Sequence, residues 1–161
     1  MATFNKVSRF ADRGKKAEDA AQKALTDWET NLMASGSARC DWARLVDTKA
    51  AGRILKAAAA DFEWFYSGFA VPRHGLIEVK QTEHEYRLAR DKVPQLARLR
   101  RRAAAGGHCL VLILHSETGE WRCVDTGWLV LPNDKGSWDL RKVPTWPSAR
   151  AALASVEDAF E

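Results

Sequence analysis

Residues 110–114, Leu-Val-Leu-Ile-Leu, form the longest strongly apolar run in this chain of 161 residues. A run of this length, with Gly106-Gly107 before it and Thr118-Gly119 after it, is typical of a buried strand. It is far shorter than the ~20 apolar residues that a membrane-spanning helix needs. We therefore predict a protein built around a β-sheet, and we expect no membrane partner.

Helices and further strands are predicted on both sides of this run. Apolar residues recur at helical spacing over residues 12–32, a second helix is predicted over 91–105, and a short one over 147–160. Alanine-rich residues 50–60 favour another helix. Predicted strands cover residues 42–46, 61–71, 76–82, 108–116 and 121–130. This order indicates an α/β (α+β) fold, with a mixed central β-sheet flanked by helices.

The length of 161 residues fits one domain with its own core. We predict a flexible basic arm over residues 1–11 and a single domain over 12–161. Three scattered cysteines, none in a C-x-x-C pair, indicate reduced thiols, and residues 1–16 lack the apolar stretch of a secretory signal. We therefore expect a cytoplasmic protein.

Residues 75–82, Gly-Leu-Ile-Glu-Val-Lys-Gln-Thr, carry the most informative pattern in the chain. Side chains alternate between the two faces of a strand, so Ile77 and Val79 are predicted to point into a core and Glu78 and Lys80 to the other face. An isolated Glu-x-Lys pair of this kind is most often the solvated face of an edge strand. Other acids along the chain favour a different interpretation.

Asp61 begins the preceding predicted strand, and two adjacent strands can bring Asp61 and Glu78 side by side. Neighbouring carboxylates repel each other unless a cation lies between them, and hard oxygen ligands select Mg²⁺ or Mn²⁺. Lys80 beside this pair can hold a water or stabilise charge on a phosphate oxygen. Glu18, at the edge of the first helix's apolar stripe, could lean over the sheet, and Glu63 is a rival metal ligand.

An acid on a first helix, then Asp, then Glu-x-Lys across a strand hairpin resembles the PD-(D/E)xK nuclease superfamily. Within it, the middle of the chain is most similar to the RecU-like Holliday junction resolvases. The resemblance covers about residues 14–115, although Ala60 stands where the superfamily's name has Pro. It implies a restriction-endonuclease-like core. Further counterparts of the resolvase pattern are Gly68, Thr82, Tyr86-Arg87-Leu88 and Gln95.

The resemblance also implies Mg²⁺-dependent hydrolysis of DNA phosphodiester bonds, with Mn²⁺ as a possible substitute, leaving a 5′-phosphate and a 3′-hydroxyl. Lys80 would orient the attacking water. Gln95 would touch a catalytic residue or DNA. The implied catalytic residues are Glu18, Asp61, Glu78, Lys80 and Gln95, and the implied metal ligands are Glu18, Asp61, Glu78 and a backbone carbonyl near Val79.

The formal net charge is only +4, but the charge is unevenly distributed. Residues 87–102 hold seven basic residues and one acid, and residues 1–16 hold five basic residues and one acid. Either stretch can be a solvated face, and beside a nuclease site each can also follow DNA phosphates. The predicted DNA-binding residues are Lys15, Lys16, Thr82, Arg98, Arg101 and Arg102.

The leading hypothesis is a structure-selective DNA endonuclease that acts on four-way junctions in recombination or repair. Two symmetric nicks need two active sites, so we expect a homodimer in the cytoplasm of a bacterial or phage-infected cell. Two alternatives remain open. One is another PD-(D/E)xK nuclease of restriction or repair type, and the other is a catalytically silent DNA-binding module of the same fold.

Overall fold

The computed structural model of the chain describes residues 4–36, 39–46, 48–50, 53–56, 58–67, 72–130 and 136–157, with the side chains of 4–13, 48–50, 53–56, 130 and 157 left out. In chain order the elements are α1 (Phe4–Ser35), β1 (Cys40–Arg44), β2 (Thr48–Ala50), β3 (Arg53–Lys56), β4 (Phe62–Tyr66), β5 (Arg73–Thr82), β6 (Arg87–Ala89), a 3₁₀ turn (Arg90–Lys92), α2 (Leu96–Ala104), β7 (His108–His115), β8 (Trp121–Asp125), a 3₁₀ turn (Trp128–Val130), β9 (Ser137–Asp139) and α3 (Ala149–Glu157).

Five of the strands form a mixed central sheet in the order β1-β4-β5-β7-β8. All neighbouring pairs are antiparallel except β5 and β7, which run parallel and are joined through α2. Strands β2 and β3 form a separate hairpin, and β6 pairs with β9. The α/β class with a mixed sheet flanked by helices is therefore confirmed.

One face of the sheet is covered by α1 and α3. The alanine-rich stripe of α1 is buried, as its spacing predicts, and small side chains let the helix approach the strands closely. Trp28 of α1 stacks on Tyr66 of β4 with ring centroids 5.4 Å apart. Ile77 and Val79 of β5 point into this layer, which confirms the predicted face for both side chains.

The other face is covered by α2 and by the β6–β9 pair. Leu96 and Leu99 of α2 are buried there, beside Leu88 of β6 and Trp138 of β9. The Trp138 indole N–H donates to the Leu129 carbonyl over 3.0 Å, so this large buried side chain has its polar group satisfied. Leu76 and Glu78 of β5 lie on this face of the sheet.

The first helix begins at Phe4, whereas the sequence predicts an arm over residues 1–11 and a helix from residue 12. Residues 4–11 are therefore the first turns of α1, which corrects that prediction. Phe4, Val7 and Phe10 recur at three-residue spacing, so the sequence does carry a helical pattern here, which the prediction of a polar and basic arm overlooked.

Two other sequence predictions are wrong. Residues 48–50 and 53–56, within or beside the predicted helix 50–60, form the hairpin strands β2 and β3, because strand pairing overrides the helix propensity of alanine. The second helix begins at Leu96 rather than near Asp91. Pro94 disfavours helical geometry at Val93, whose ψ is 67°, and a 3₁₀ turn at Arg90–Lys92 precedes it.

The remaining boundaries differ by smaller amounts. Strand β4 ends at Tyr66 and β8 at Asp125, while β9 lies in a stretch predicted as loop. Gly68, a counterpart in the resolvase pattern, lies outside the described residues. Among the helices that the structure describes, none is both long and apolar enough to cross a bilayer.

Candidate active site

Strand β5 extends beyond the end of β4, and Asp61 occupies the edge that this leaves open. The pairing of β4 covers β5 only as far as Ile77. The main-chain N–H of Asp61 donates to the Ile77 carbonyl over 3.2 Å, and its carboxylate Oδ2 accepts the Val79 N–H over 2.6 Å. Because N–H and C=O of one strand residue point to the same edge, the Val79 carbonyl faces this side too.

Glu78 is completely buried, with 0% of its surface exposed. Its only countercharge among the described residues is the Lys80 ammonium, which forms an ion pair with Oε1. Neither carboxylate oxygen accepts a well-aligned hydrogen bond in the described part of the chain. Burial raises the pKa of Glu78 to about 7, and the negative charge of Asp61 adds to the effect against the opposing charge of Lys80.

Glu18 of α1 completes this acidic group from the other side of the sheet. Burial raises the pKa of Glu18 above its ordinary value, and the neighbouring Asp61 charge raises it further. The Lys80 charge also reaches Glu18 and acts in the opposite direction. The structure thus brings together four of the residues predicted from sequence, namely Glu18, Asp61, Glu78 and Lys80.

Arg44, at the end of β1, is a member of this group that the sequence pattern did not reveal. Its guanidinium forms an ion pair with the Glu18 carboxylate, lies 3.8 Å from Asp19 Oδ1 and donates to Gln22 Oε1 over 3.4 Å. The next residue, Leu45, donates its N–H to the Asp61 carbonyl over 2.8 Å. No local sequence signal indicates this pair, because its partners meet only when β1 joins the sheet beneath α1.

A cleft of about 460 Å³ opens beside these residues. Its floor is the C-terminal half of β5, one wall is α1, and the other wall is the segment that leads from β5 to α2. Glu18 and Lys80 face the cleft, whereas Glu78 lies beneath its surface. The residues that line it are Gly14, Ala17, Glu18, Val79, Lys80, Gln81, Thr82, Glu83, His84, Ala89, Lys92 and Ser116.

The described side chains contain no group of three His, Cys, Asp or Glu residues close enough to hold a metal ion together. The candidate oxygen donors beside the cleft are the Asp61 and Glu78 carboxylates and the Val79 carbonyl. Buried carboxylate oxygens without hydrogen bonds are costly unless a cation compensates them. Oε1 of Glu78 is compensated by the Lys80 ammonium, whereas Oε2 has no partner in the described part of the chain. Because Oε2 and the Asp61 carboxylate are both hard oxygen donors, the residues present fit a hard divalent cation.

Two further predicted site residues, Thr82 and Gln95, are not part of the acidic group, although Thr82 lines the cleft. Thr82 is buried, and its hydroxyl donates to the Arg87 carbonyl over 2.9 Å and accepts the His84 N–H over 3.1 Å. This hydroxyl therefore holds the turn after β5 rather than pointing to solvent. Gln95 precedes α2 and is not among the cleft-lining residues.

The predicted basic residues fall into two places. Lys15 and Lys16 are exposed on α1 next to the cleft. Arg101 and Arg102 are exposed near the C-terminal end of α2, where the Arg102 charge acts on Cys109. Cys109 pairs with Leu76 of β5, four residues before Lys80, or about 13 Å along the strand.

Two further basic residues bear on the DNA-binding prediction. Arg98 is half-buried on α2. Lys92, in the 3₁₀ turn, lines the cleft wall opposite α1, although it is not among the residues singled out from the sequence. Lys92 belongs to the basic stretch 87–102, and that stretch is the only sequence pattern that indicates it as a DNA-binding candidate. The cleft therefore has exposed lysines beside both of its walls.

Glu63, the rival metal ligand, lies on β4 opposite Leu76 of β5. The charges that act on Glu78 are those of Lys80, Asp61 and Glu18. The geometry of the described residues therefore favours Asp61 as the partner of Glu78.

A larger cavity, of about 600 Å³, lies near the C-terminal end of α1. Met33, Phe65, Tyr66 and Arg73 are among its lining residues, and it contains none of the predicted site residues. Size alone does not make it the functional site, because neither acid in its lining, Glu29 or Asp41, is buried, whereas the buried Glu78 lies beneath the smaller cleft.

No protein-family model matches this chain, and no curated protein matches it. Matching solved structures include that of Hjc from Archaeoglobus fulgidus, a Holliday junction resolvase from an archaeal hyperthermophile. This chain is 17% identical to it, with 73% of this chain and 87% of that chain covered and a TM-score of 0.40. A likeness at that level adds nothing to the site assignment, which rests on the geometry above.

Proposed function

We propose that this chain is a divalent-metal-dependent DNA endonuclease whose active site is the cleft beside Asp61, Glu78 and Lys80. The observation that carries the proposal is the burial of the Glu78 carboxylate, without aligned hydrogen bonds, directly beside a second acid. Acids in a cleft whose pKa values are strongly shifted are typical of functional sites.

The residues have distinct roles in this proposal. Asp61 and Glu78, with the Val79 carbonyl, would hold Mg²⁺ or Mn²⁺, and Glu18 would complete the site directly or through a water. When bound, the cation would supply Lewis-acid stabilisation of the phosphate and a water acidic enough to act as a nucleophile at neutral pH. The Val79 N–H fixes the Asp61 carboxylate in place before any ligand arrives.

Lys80 would act on the attacking water and on the phosphate. Its side chain is 19% exposed, so the ammonium can pair with Glu78 and still reach the cleft. A cation at that position would orient the attacking water and stabilise charge that develops on the phosphate oxygens. Hydrolysis leaves a 5′-phosphate and a 3′-hydroxyl if the leaving group is the 3′-oxygen, as the superfamily resemblance implies.

The proposed substrate is branched DNA, with a four-way junction first, and the proposed assembly is a homodimer. Support comes from the resemblance of residues 14–115 to RecU-like resolvases and from the basic residues around the cleft, Lys15, Lys16 and Lys92. A junction has two equivalent strands to cut, and a two-fold dimer supplies two sites in matching orientation.

A substrate comparison tests this function. Four-way junction, linear duplex and single-stranded DNA of matched length are incubated with and without Mg²⁺. We expect Mg²⁺-dependent nicking of the junction in preference to the other two. Equal cutting of all three would reject junction selectivity and favour another nuclease of this type, and tight binding without cutting would favour a silent DNA-binding module.

A further inference from the structure

The charges at the cleft are paired in a specific way in the absence of ligand. Glu18 pairs with Arg44, and Glu78 pairs with Lys80, while the Asp61 carboxylate accepts a main-chain N–H. When all three acids are ionised, these five side chains carry one net negative charge, while Asp19 lies 3.8 Å from Arg44 and the exposed Lys15 and Lys16 lie next to the cleft on α1. Glu83 and Lys92, which also line the cleft, offset each other.

This balance bears on how a phosphate can enter. A phosphodiester is an anion, so the net negative charge of the five paired side chains repels it at the acids, even with lysines around the cleft. A divalent cation would bring the sum to one net positive charge and would also compete with Arg44 for the Glu18 carboxylate. Arg44 would then be a cation with five donors in a fork that matches a phosphate.

We propose that Arg44 binds a DNA phosphate, and that its ion pair with Glu18 prevents this until a divalent cation is bound. This inference rests on the proposed nuclease function and adds to it a coupling between cation and DNA. Arg44 is positioned for such a role because its side chain is 37% exposed and because Leu45, the residue after it, donates its N–H to the Asp61 carbonyl.

A purely structural role for Arg44 is the competing explanation, since its contacts with Glu18 and Gln22 also tie α1 to β1. The two explanations predict opposite changes in cation affinity when Arg44 is removed. If Arg44 only anchors α1, its removal loosens the site and weakens cation and DNA binding together. If Arg44 instead binds phosphate and competes with the cation for the Glu18 carboxylate, its removal strengthens cation binding and weakens DNA binding.

The test measures both affinities for the full chain at pH 8. Ca²⁺ binding to the DNA-free protein is measured by titration calorimetry, and binding of a labelled four-way junction is measured with and without Ca²⁺, with the DNA checked for integrity. For Arg44→Gln we expect Ca²⁺ affinity to rise roughly threefold or more. We expect junction affinity in Ca²⁺ to fall about tenfold, so that the coupling between the ligands is largely abolished.

Glu18→Gln removes the other partner of the ion pair, so it tests the proposal even if Arg44→Gln fails to fold. Without Glu18, Arg44 keeps only the longer contacts with Asp19 and Gln22, so we expect junction affinity in the absence of Ca²⁺ to rise severalfold and Ca²⁺ affinity to fall. Asp27→Asn is the matched control, because it removes one exposed negative charge from the same helix away from the cleft. Its junction affinity should change much less than that of Glu18→Gln.

The outcomes separate this inference from the proposed function. Wild-type protein that binds Ca²⁺, together with an Arg44→Gln variant whose cation affinity stays the same or falls, would overturn the role of Arg44 alone. An equal gain in Glu18→Gln and Asp27→Asn would overturn it as well. Wild-type protein that binds no divalent cation would reject the proposed metal-dependent function, and the coupling with it.

Discussion

The carboxylate of Asp61 accepts a hydrogen bond from the main-chain N–H of Val79 over 2.6 Å. Val79 lies between Glu78 and Lys80 on β5, so this one bond fixes the Asp61 carboxylate relative to both. The bond takes the place of a ladder hydrogen bond where β4 has ended. The site is therefore built into the edge of the central sheet, which keeps its groups in position before any ligand is bound.

Glu78 makes the stability of the protein depend on pH. Its pKa is about 7 in the folded protein, against an ordinary value of 4.5, so the folded state holds a proton that the unfolded chain loses between these values. The contribution of Glu78 to stability therefore falls as pH rises from 4.5 to 7, by at most about 3 kcal/mol. Urea unfolding of Glu78→Gln and wild type across this range should show the variant gaining stability relative to wild type.

Glu117→Gln is the control for this prediction, because Glu117 is an exposed acid in the turn between β7 and β8. Its stability should follow the wild-type pH curve. If Glu78→Gln also runs parallel to wild type, Glu78 is not the buried proton-binding group described here. Mg²⁺ should stabilise the wild type more at pH 8 than at pH 5, since a protonated acid is a poor ligand.

Gly75 sets the register of the two central strands. A Cβ at this position would lie 1.5 Å from the His108 carbonyl oxygen, across the parallel pair of β5 and β7. We expect Gly75→Ala to destabilise the protein by about 1–3 kcal/mol, measured by urea unfolding, because backbone has to move. Gly14→Ala, with nothing within 4 Å of the added Cβ in helix α1, should stabilise it by roughly 0.5–1 kcal/mol.

Loss of stability in Gly14→Ala would contradict the open space described around Gly14. A Gly75→Ala variant as stable as wild type would contradict the close approach at Gly75.

Arg101 and Arg102 test how far the DNA path extends beyond the cleft. Both are exposed, and the Arg102 charge acts on Cys109, whose partner Leu76 lies about 13 Å along β5 from Lys80. Changing both to Ala should weaken junction binding and lower the slope of log affinity against log salt by about 0.9 for each phosphate that is no longer neutralised. Fluorescence anisotropy at several salt concentrations measures both quantities.

Arg141→Ala is the comparison for this double variant, because Arg141 is an exposed arginine that pairs with Asp139. Its salt slope should match wild type. An unchanged slope in the double variant would mean that this face of α2 is solvated and does not touch DNA.

The alternation of residues 75–82 is enough to predict β5 and the faces of Ile77 and Val79, because successive side chains of a strand point to opposite faces. It does not reveal that Glu78, on the other face, is buried as well. The second helix is predicted to begin too early, since Asp91 resembles an N-cap while Pro94 prevents helical geometry just before it. The alanines of residues 50–60 mislead because local propensity is weaker than strand pairing.

The acids of the site are recognisable from the superfamily pattern, yet their environment is not. Complete burial of Glu78 depends on the layer formed by α2 and the β6–β9 pair, which is contributed by distant parts of the chain. The ion pair of Arg44 with Glu18 likewise joins residues 26 positions apart. Such contacts leave no periodicity in the sequence, and only the folded arrangement shows them.

Mg²⁺-dependent nicking of a labelled four-way junction by wild type and Asp61→Asn tests the central claim most directly. Asn can still accept the Val79 N–H, so the variant keeps the bond that holds the site and loses only the charge. We expect its nicking rate to fall by at least about 100-fold, with junction binding largely kept, and Lys80→Met to behave alike. An Asp61→Asn variant that nicks at the wild-type rate would contradict the assignment of this cleft as the active site.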